Sequence, residues 1–137
     1  MKPLTIYYSY TGHTKALAEE TATKESADLA EIKDRRRPGK VKAYSLGIIA
    51  AIRGKAWPIE PPRIDLGGYE RIILLAPVWA GNPAPAVNAL LETLPGGRSV
   101  SVIMVSGSGK SECRERLEAR IKAKGCVLES FEDVKKG

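Results

Sequence analysis

The chain has 137 residues, 43% of them hydrophobic and 28% charged, with a formal net charge of +6; this excludes wholesale disorder and suits one domain, residues 1–137, with a real core. No apolar run approaches the roughly 20 residues a spanning helix needs, and the N-terminus lacks a basic segment leading into an apolar stretch and a cleavage site. The expectation is a cytoplasmic protein without a membrane span. A single histidine, His13, and two cysteines, Cys113 and Cys126, leave zinc chemistry and a histidine-based triad unsupported and make free thiols the default.

The first element is an apolar strand over residues 3–8 that breaks directly into Ser9-Tyr10-Thr11-Gly12-His13-Thr14. A helix follows over 14–25, with Leu17, Ala18, Thr21 and Ala22 at helical spacing. A strand, a sharp glycine turn and a helix start aim unpaired amide N–H groups and the positive end of the helix dipole at one point, where an anion binds. Ser9, Thr11 and Thr14 add hydroxyl donors there. The alternative is an ordinary helix start, in which Thr11 or His13 only satisfies the first turn. The turn has no lysine, and its spacing is neither the glycine-spaced dinucleotide fingerprint nor a triphosphate loop.

Residues 28–33 read as a short second strand, followed by a long connection over 34–70. It opens with a basic cluster over 33–42, containing Arg35-Arg36-Arg37 beside Pro38-Gly39 and so on a loop. Val41, Tyr44, Ile48, Ile49 and Ile52 then mark one face of a helix ending near Arg53-Gly54. Trp57 to Pro62 is extended, since its prolines forbid helix. Nucleic-acid binding through the arginines is disfavoured, because the cluster has no interleaved aromatics and no known reading element.

The rest alternates strand and helix: strands over 71–76, 99–105 and 127–131, helices over 85–94 and 111–124. Lys110, Arg114, Arg116, Arg120, Lys122 and Lys124 alternate with Glu112, Glu115 and Glu118, the pattern of a solvated helix face laced with opposite charges. Continuous apolar strands separated by helices predict a parallel α/β sheet covered on both faces. In such a sheet the ligand lies beyond the carboxyl ends of the strands. The turns after the first, third and fourth strands are therefore the candidate site. The second of them, residues 76–87, is rich in proline and carries Trp79 and Gly81 just before a helix. The third, Ser106-Gly107-Ser108-Gly109-Lys110-Ser111, ends like a triphosphate loop, but Met104 stands where that pattern requires a small residue.

These three turns resemble those of the flavodoxin family. Ser-x-Thr-Gly-x-Thr in the first turn is similar to its phosphate loop, and Pro-x-Trp-x-Gly-x-x-x-Pro in the second to the loop that packs an aromatic ring against the flavin. The third turn stands where the family's second flavin loop lies. The resemblance covers nearly the whole chain and implies a three-layer fold around an open, parallel, five-stranded sheet in the order 2-1-3-4-5. It implies noncovalent FMN, with the phosphate on Ser9, Thr11, Gly12 and Thr14 and the backbone amides from Tyr10 through His13 to Thr14. The ring would lie against Pro77, Val78, Trp79, Ala80, Gly81 and Asn82 on one side and Ser106, Gly107, Ser108 and Gly109 on the other. An electron carrier or a small flavin-dependent oxidoreductase follows, serving a redox partner protein or a small-molecule electron acceptor, with no catalytic side chain required. Lys110 is the cation placed to favour a negatively charged reduced ring.

Two departures stand out. Electron-carrying flavodoxins are typically acidic, whereas this chain is basic, so its partner is acidic or it is not a shuttle of that kind. The sequence also leaves no room for a helix after the fifth strand, which predicts an apolar patch on one half-covered sheet face, to be covered either by a homodimer formed through it or by the termini and the long second connection folding across it. The competing class is a binding module that keeps the fold without flavin, using the basic 33–42 loop.

Overall fold

The computed structural model describes residues 2–9, 12–33, 53, 59–60, 64–79 and 81–135. The basic cluster beyond Lys33, the helix expected over 41–53 except Arg53, and Trp57, Pro58, Pro61 and Pro62 of the extended stretch lie outside these residues. Of that stretch, Glu60 donates its N–H to the Lys33 carbonyl at 2.7 Å.

In chain order the elements are strand β1 (Leu4–Tyr7), helix α1 (His13–Glu25), β2 (Asp28–Glu31), a 3-10 turn (Leu66–Gly68), and β3 (Arg71–Trp79). They continue with β4 (Asn82–Pro83), α2 (Pro85–Glu92), β5 (Ser99–Ser106), α3 (Arg114–Ala123) and β6 (Val127–Lys135). The main sheet runs β2-β1-β3-β5-β6 with every neighbour parallel. With the two-residue β4 set aside, this is the order 2-1-3-4-5. β4 is a correction to the expected loop: β3 continues past Pro77 to Trp79, and the chain folds back antiparallel, pairing Val78 with Pro83 and Trp79 with Asn82.

β1 is buried along its whole length, as a central parallel strand covered on both faces must be. On one face Leu4, Ile6, Ile72, Leu74, Val100, Val102 and Met104 share a core with Val87, Leu90 and Leu91 of α2 and Leu117 and Ile121 of α3. On the other, Tyr7, Ile73 and Leu75 pack with Ala18 of α1. The alanines of α1 allow this close approach: Ala18 and Ala22 are buried.

Toward β6 the α1 face changes character. The cross-strand pairs there are Ser101 with Ser130, Ile103 with Glu132, and Val105 with Val134. Among the described residues the apolar patch expected here is interrupted, since serine and glutamate alternate with the aliphatic residues. Among the described residues the large apolar side chains left exposed are Leu29 and Val127. A bulge places Glu129 between Leu128 and Ser130, and Arg71 reaches it at 3.4 Å while also contacting Glu25 at the end of α1 at 3.7 Å. Arg71 thus spans the gap between α1 and the edge strand. Among the described residues no helix follows β6, and none is long and apolar enough to cross a membrane.

Candidate functional site

Three connections leave the carboxyl ends of β1, β3 and β5. At the first, Tyr8 extends β1 by donating its N–H to the Leu75 carbonyl at 3.1 Å. Ser9 then turns back, its Oγ accepting the Gly12 N–H at 3.0 Å. Gly12 sits at φ +100° and is the N-cap of α1, a conformation that costs a glycine nothing and other residues roughly 1–2 kcal/mol. Among the described residues no side chain caps the helix, and its first turn holds no acidic residue. The N-cap is thus Gly12 rather than His13, which is the first residue of the helix; the alternative of a cap from Thr11 falls on a residue outside those described. The start of α1 keeps its N–H groups and its dipole end for another acceptor. Thr14, the second residue of α1, is buried at this point, whereas His13 is exposed. Tyr10 and Thr11 lie outside the described residues, as does Ala80 in the second turn.

The second connection is the β3–β4 hairpin. Its exit is closed by the Ala84 N–H donating to the Pro77 carbonyl at 3.2 Å, and Pro85 opens α2, where the missing N–H is no loss. Trp79 stands edge-on to Tyr8, with ring centroids 6.3 Å apart and planes at 72°. Tyr8 is 2% exposed, so a core ring backs the half-buried Trp79 ring. Nothing in the sequence singles out Tyr8 for this beyond its being the last apolar residue before the turn.

The third connection folds around one hydroxyl. Ser106 Oγ accepts the N–H groups of Gly109 at 2.9 Å and Lys110 at 3.1 Å, so Ser106 holds the turn together while also lining the cleft beside it. Gly109 lies at φ +76°, and a Cβ there would come within 3.1 Å of Lys135 Cβ at the end of β6. The glycine is thus required twice, by the turn and by the neighbouring strand. Ser111 donates its hydroxyl to Asp133 of β6 at 2.5 Å.

Between the second and third connections lies a cleft of about 600 Å³, lined by Val78, Gly81, Ser106, Gly107, Ser108, Lys110, Ser111 and Glu112. Of the described ring-loop residues, Val78, Gly81, Ser106, Gly107 and Ser108 are brought together on the cleft wall, whereas Pro77 and Gly109 are not among its lining, Trp79 packs against Tyr8, and Asn82 Oδ1 accepts from Arg116 Nη1 of α3 at 3.1 Å. Glu112 and Arg116 are exposed, as expected of a solvated face, and they also contact the second turn. The Glu112 N–H donates to the Gly81 carbonyl at 2.8 Å. Lys110 and Glu112 place one charge of each sign on the cleft wall. Next to them Cys113 is fully buried, and burial pushes its thiol up from the ordinary value. Both cysteines are free. Among the described residues no group of histidine, cysteine, aspartate and glutamate could hold a metal ion.

The donor set suits a phosphorylated, planar, hydrogen-bonding ligand. The α1 start, the Ser9 turn and Thr14 fit a phosphate. The cleft, with Gly107 and Ser108 on its wall, fits the polar edge of a ring. No family model matches the chain, and no curated protein does. Solved structures do. A flavoprotein from Lactobacillus acidophilus NCFM, solved in complex with FMN, is 26% identical over 95% of this chain and 91% of its own, with a TM-score of 0.77. A putative flavoprotein from Bacteroides eggerthii is 19% identical over 96% of this chain and 86% of its own, with a TM-score of 0.79. The two-electron reduced flavodoxin of Megasphaera elsdenii is 18% identical over 98% of this chain and 86% of its own, with a TM-score of 0.58.

Proposed function

We propose that this chain, whose fold is flavodoxin-like, holds FMN noncovalently and works as an FMN-binding redox protein, an electron carrier or a small flavin-dependent oxidoreductase acting as one domain over 1–137. The observation that carries the reading is the convergence at one end of the sheet: a helix start after β1 with no side-chain cap among the described residues, and a cleft between the turns after β3 and β5. FMN, when bound, supplies the reversible electron chemistry that no side chain here offers.

The chain's own residues then have separable tasks. The amides of His13 and Thr14, with Thr11 and the Ser9 turn, hold the phosphate. Val78 and Gly81 on one wall, with Gly107 and Ser108 on the other, receive the ring, and Trp79, backed by Tyr8, shields one side of it from water. Lys110 stabilises negative charge in the cleft and Glu112 opposes it. The electrons go to a redox partner protein or a small-molecule acceptor, and the working compartment in this reading is the cytoplasm.

The absorbance spectrum of the purified protein, followed by titration with FMN while its fluorescence is monitored, tests the assignment. A yellow preparation, or quenching that weakens in Trp79→Ala and Thr11→Ala, supports it. No binding at micromolar FMN overturns it and leaves a flavodoxin-fold binding module. A homodimer through the β5–β6 face is a subsidiary part of the reading. It would bury Val127, Ile103 and Val134 but would have to accommodate Glu132, and light scattering that returns the mass of one chain removes it.

A further inference from the structure

β4 has two residues, and a two-residue antiparallel ladder is too short to hold a hairpin against solvent by itself. Its additional attachments come from about thirty residues downstream, on the opposite side of the cleft. The Glu112 N–H grips the Gly81 carbonyl at 2.8 Å, the Glu112 carboxylate lies 3.4 Å from where a Gly81 Cβ would stand, and Arg116 donates to Asn82 Oδ1 at 3.1 Å. Arg116 belongs to the first turn of α3, a helix anchored in the core through Leu117 and Ile121, both fully buried. Asn82 is the cross-strand partner of Trp79. A rigid helix therefore grips the hairpin at the residue opposite the tryptophan.

We propose that this clamp sets the second turn before any ligand arrives, which makes Arg116 a positioning residue for the flavin cleft. Arg116 acts through Asn82, and Glu112 completes the grip through its backbone. The inference rests on the FMN reading for its affinity arm, while its structural arm stands without it. Preorganisation raises affinity by removing the ordering cost from the binding step. A chain lacking the Arg116–Asn82 bond must order the hairpin on binding and so binds more weakly, although neither side chain needs to touch the flavin.

The test uses the full chain in a Trp57→Phe background, so that emission reports Trp79 alone. Arg116→Ala and Asn82→Ala are each expected to weaken FMN binding about three- to tenfold, the scale of one net hydrogen bond. The double variant should lose no more than either single one, and Arg116→Lys, which keeps a donor for a single acceptor, should recover part of the loss. In the chain without FMN, acrylamide quenching of Trp79 should rise in Arg116→Ala and not in Arg116→Lys. Wild-type FMN affinity and unchanged quenching in Arg116→Ala overturn the clamp, and so do losses that add in the double variant. If the parent chain binds no FMN, the functional reading falls, and the quenching comparison alone decides the clamp.

Discussion

Gly109 and Gly97 form a matched pair for measuring what the third turn requires. Both have positive φ, +76° and +78°, but a Cβ at Gly97 would meet nothing within 4 Å, whereas one at Gly109 would lie 3.1 Å from Lys135 Cβ, 3.5 Å from its N and 3.6 Å from its Cα. Alanine at Gly97 therefore incurs only the left-handed backbone penalty, about 1 kcal/mol. At Gly109 the same penalty applies, and the end of β6 must also give way by a few tenths of an ångström. The contacted atoms are backbone and Cβ, not the far end of a flexible side chain, so overpacking adds about 1 kcal/mol or more. The sum for Gly109→Ala is about 2–3 kcal/mol, or roughly a 6–12 °C fall in Tm against about 3–4 °C for Gly97→Ala. Urea unfolding with an unchanged m-value is the assay, run beside FMN titration. Gly109→Ala should also weaken FMN binding, because the Gly109 N–H anchors the turn on Ser106, while Gly97, at the other end of the sheet, should leave it intact. Equal destabilisation by the two substitutions would refute the argument that β6 constrains this turn.

Three further outcomes follow from the same geometry. Leu117→Ala, at a fully buried position shared by α3 and the sheet, should cost about 2–5 kcal/mol in denaturant unfolding. Asp28 accepts from the Tyr69 hydroxyl at 2.7 Å and from Lys2 at 3.3 Å, and these bonds, Tyr69 first, hold its carboxyl below the usual range. The folded chain therefore binds this proton less readily than the unfolded chain, so its contribution to stability is present above the unfolded value and is lost as pH falls through the folded one. Tyr69→Phe should flatten that acid-side slope in thermal melts between neutral pH and the carboxylate range. Finally, Lys110→Glu should lower the potential of bound FMN by something on the order of tens of millivolts and Glu112→Gln should raise it, as read by spectroelectrochemistry; shifts of the same sign would contradict the assignment of both residues to the cleft wall.

Much of this architecture is legible in the sequence, and the reasons are physical. The strands of a parallel sheet are buried on both faces, so Leu4–Tyr7, Arg71–Ala76 and Ser99–Val105 stand out as apolar runs, and with helical stretches between them only the parallel arrangement is open. Where the reading stopped short, a local rule lost to a distant contact. The expected strand ends at Ala76 because Pro77 follows, yet Pro77 pairs with Val105 in the sheet, and β4 leaves no periodic trace because it is two residues long. The last strand was expected to end at Phe131. It continues to Lys135, since Ile103 to Ser106 of β5 need neighbours even where those are Glu132 and Asp133. The third helix was expected from Ser111 and begins at Arg114, because the Ser111 hydroxyl is directed at Asp133 and does not cap. Arg116 and Asn82 are 34 residues apart, and nothing in either local pattern announces their bond. The first turn reads as a candidate anion site from Gly12 and its hydroxyl neighbours, but the Ser9 Oγ contact to the Gly12 N–H became visible only in three dimensions.

The central claim, that the turns after β1, β3 and β5 form one site for FMN, is tested most directly by comparing FMN with riboflavin, which differ only in the phosphate. The account predicts that both quench on binding and that FMN binds about a hundredfold more tightly, the effect of two charge-assisted hydrogen bonds at the start of α1. Equal affinity for the two would remove the phosphate site from the first turn, and no binding of either would contradict the account as a whole.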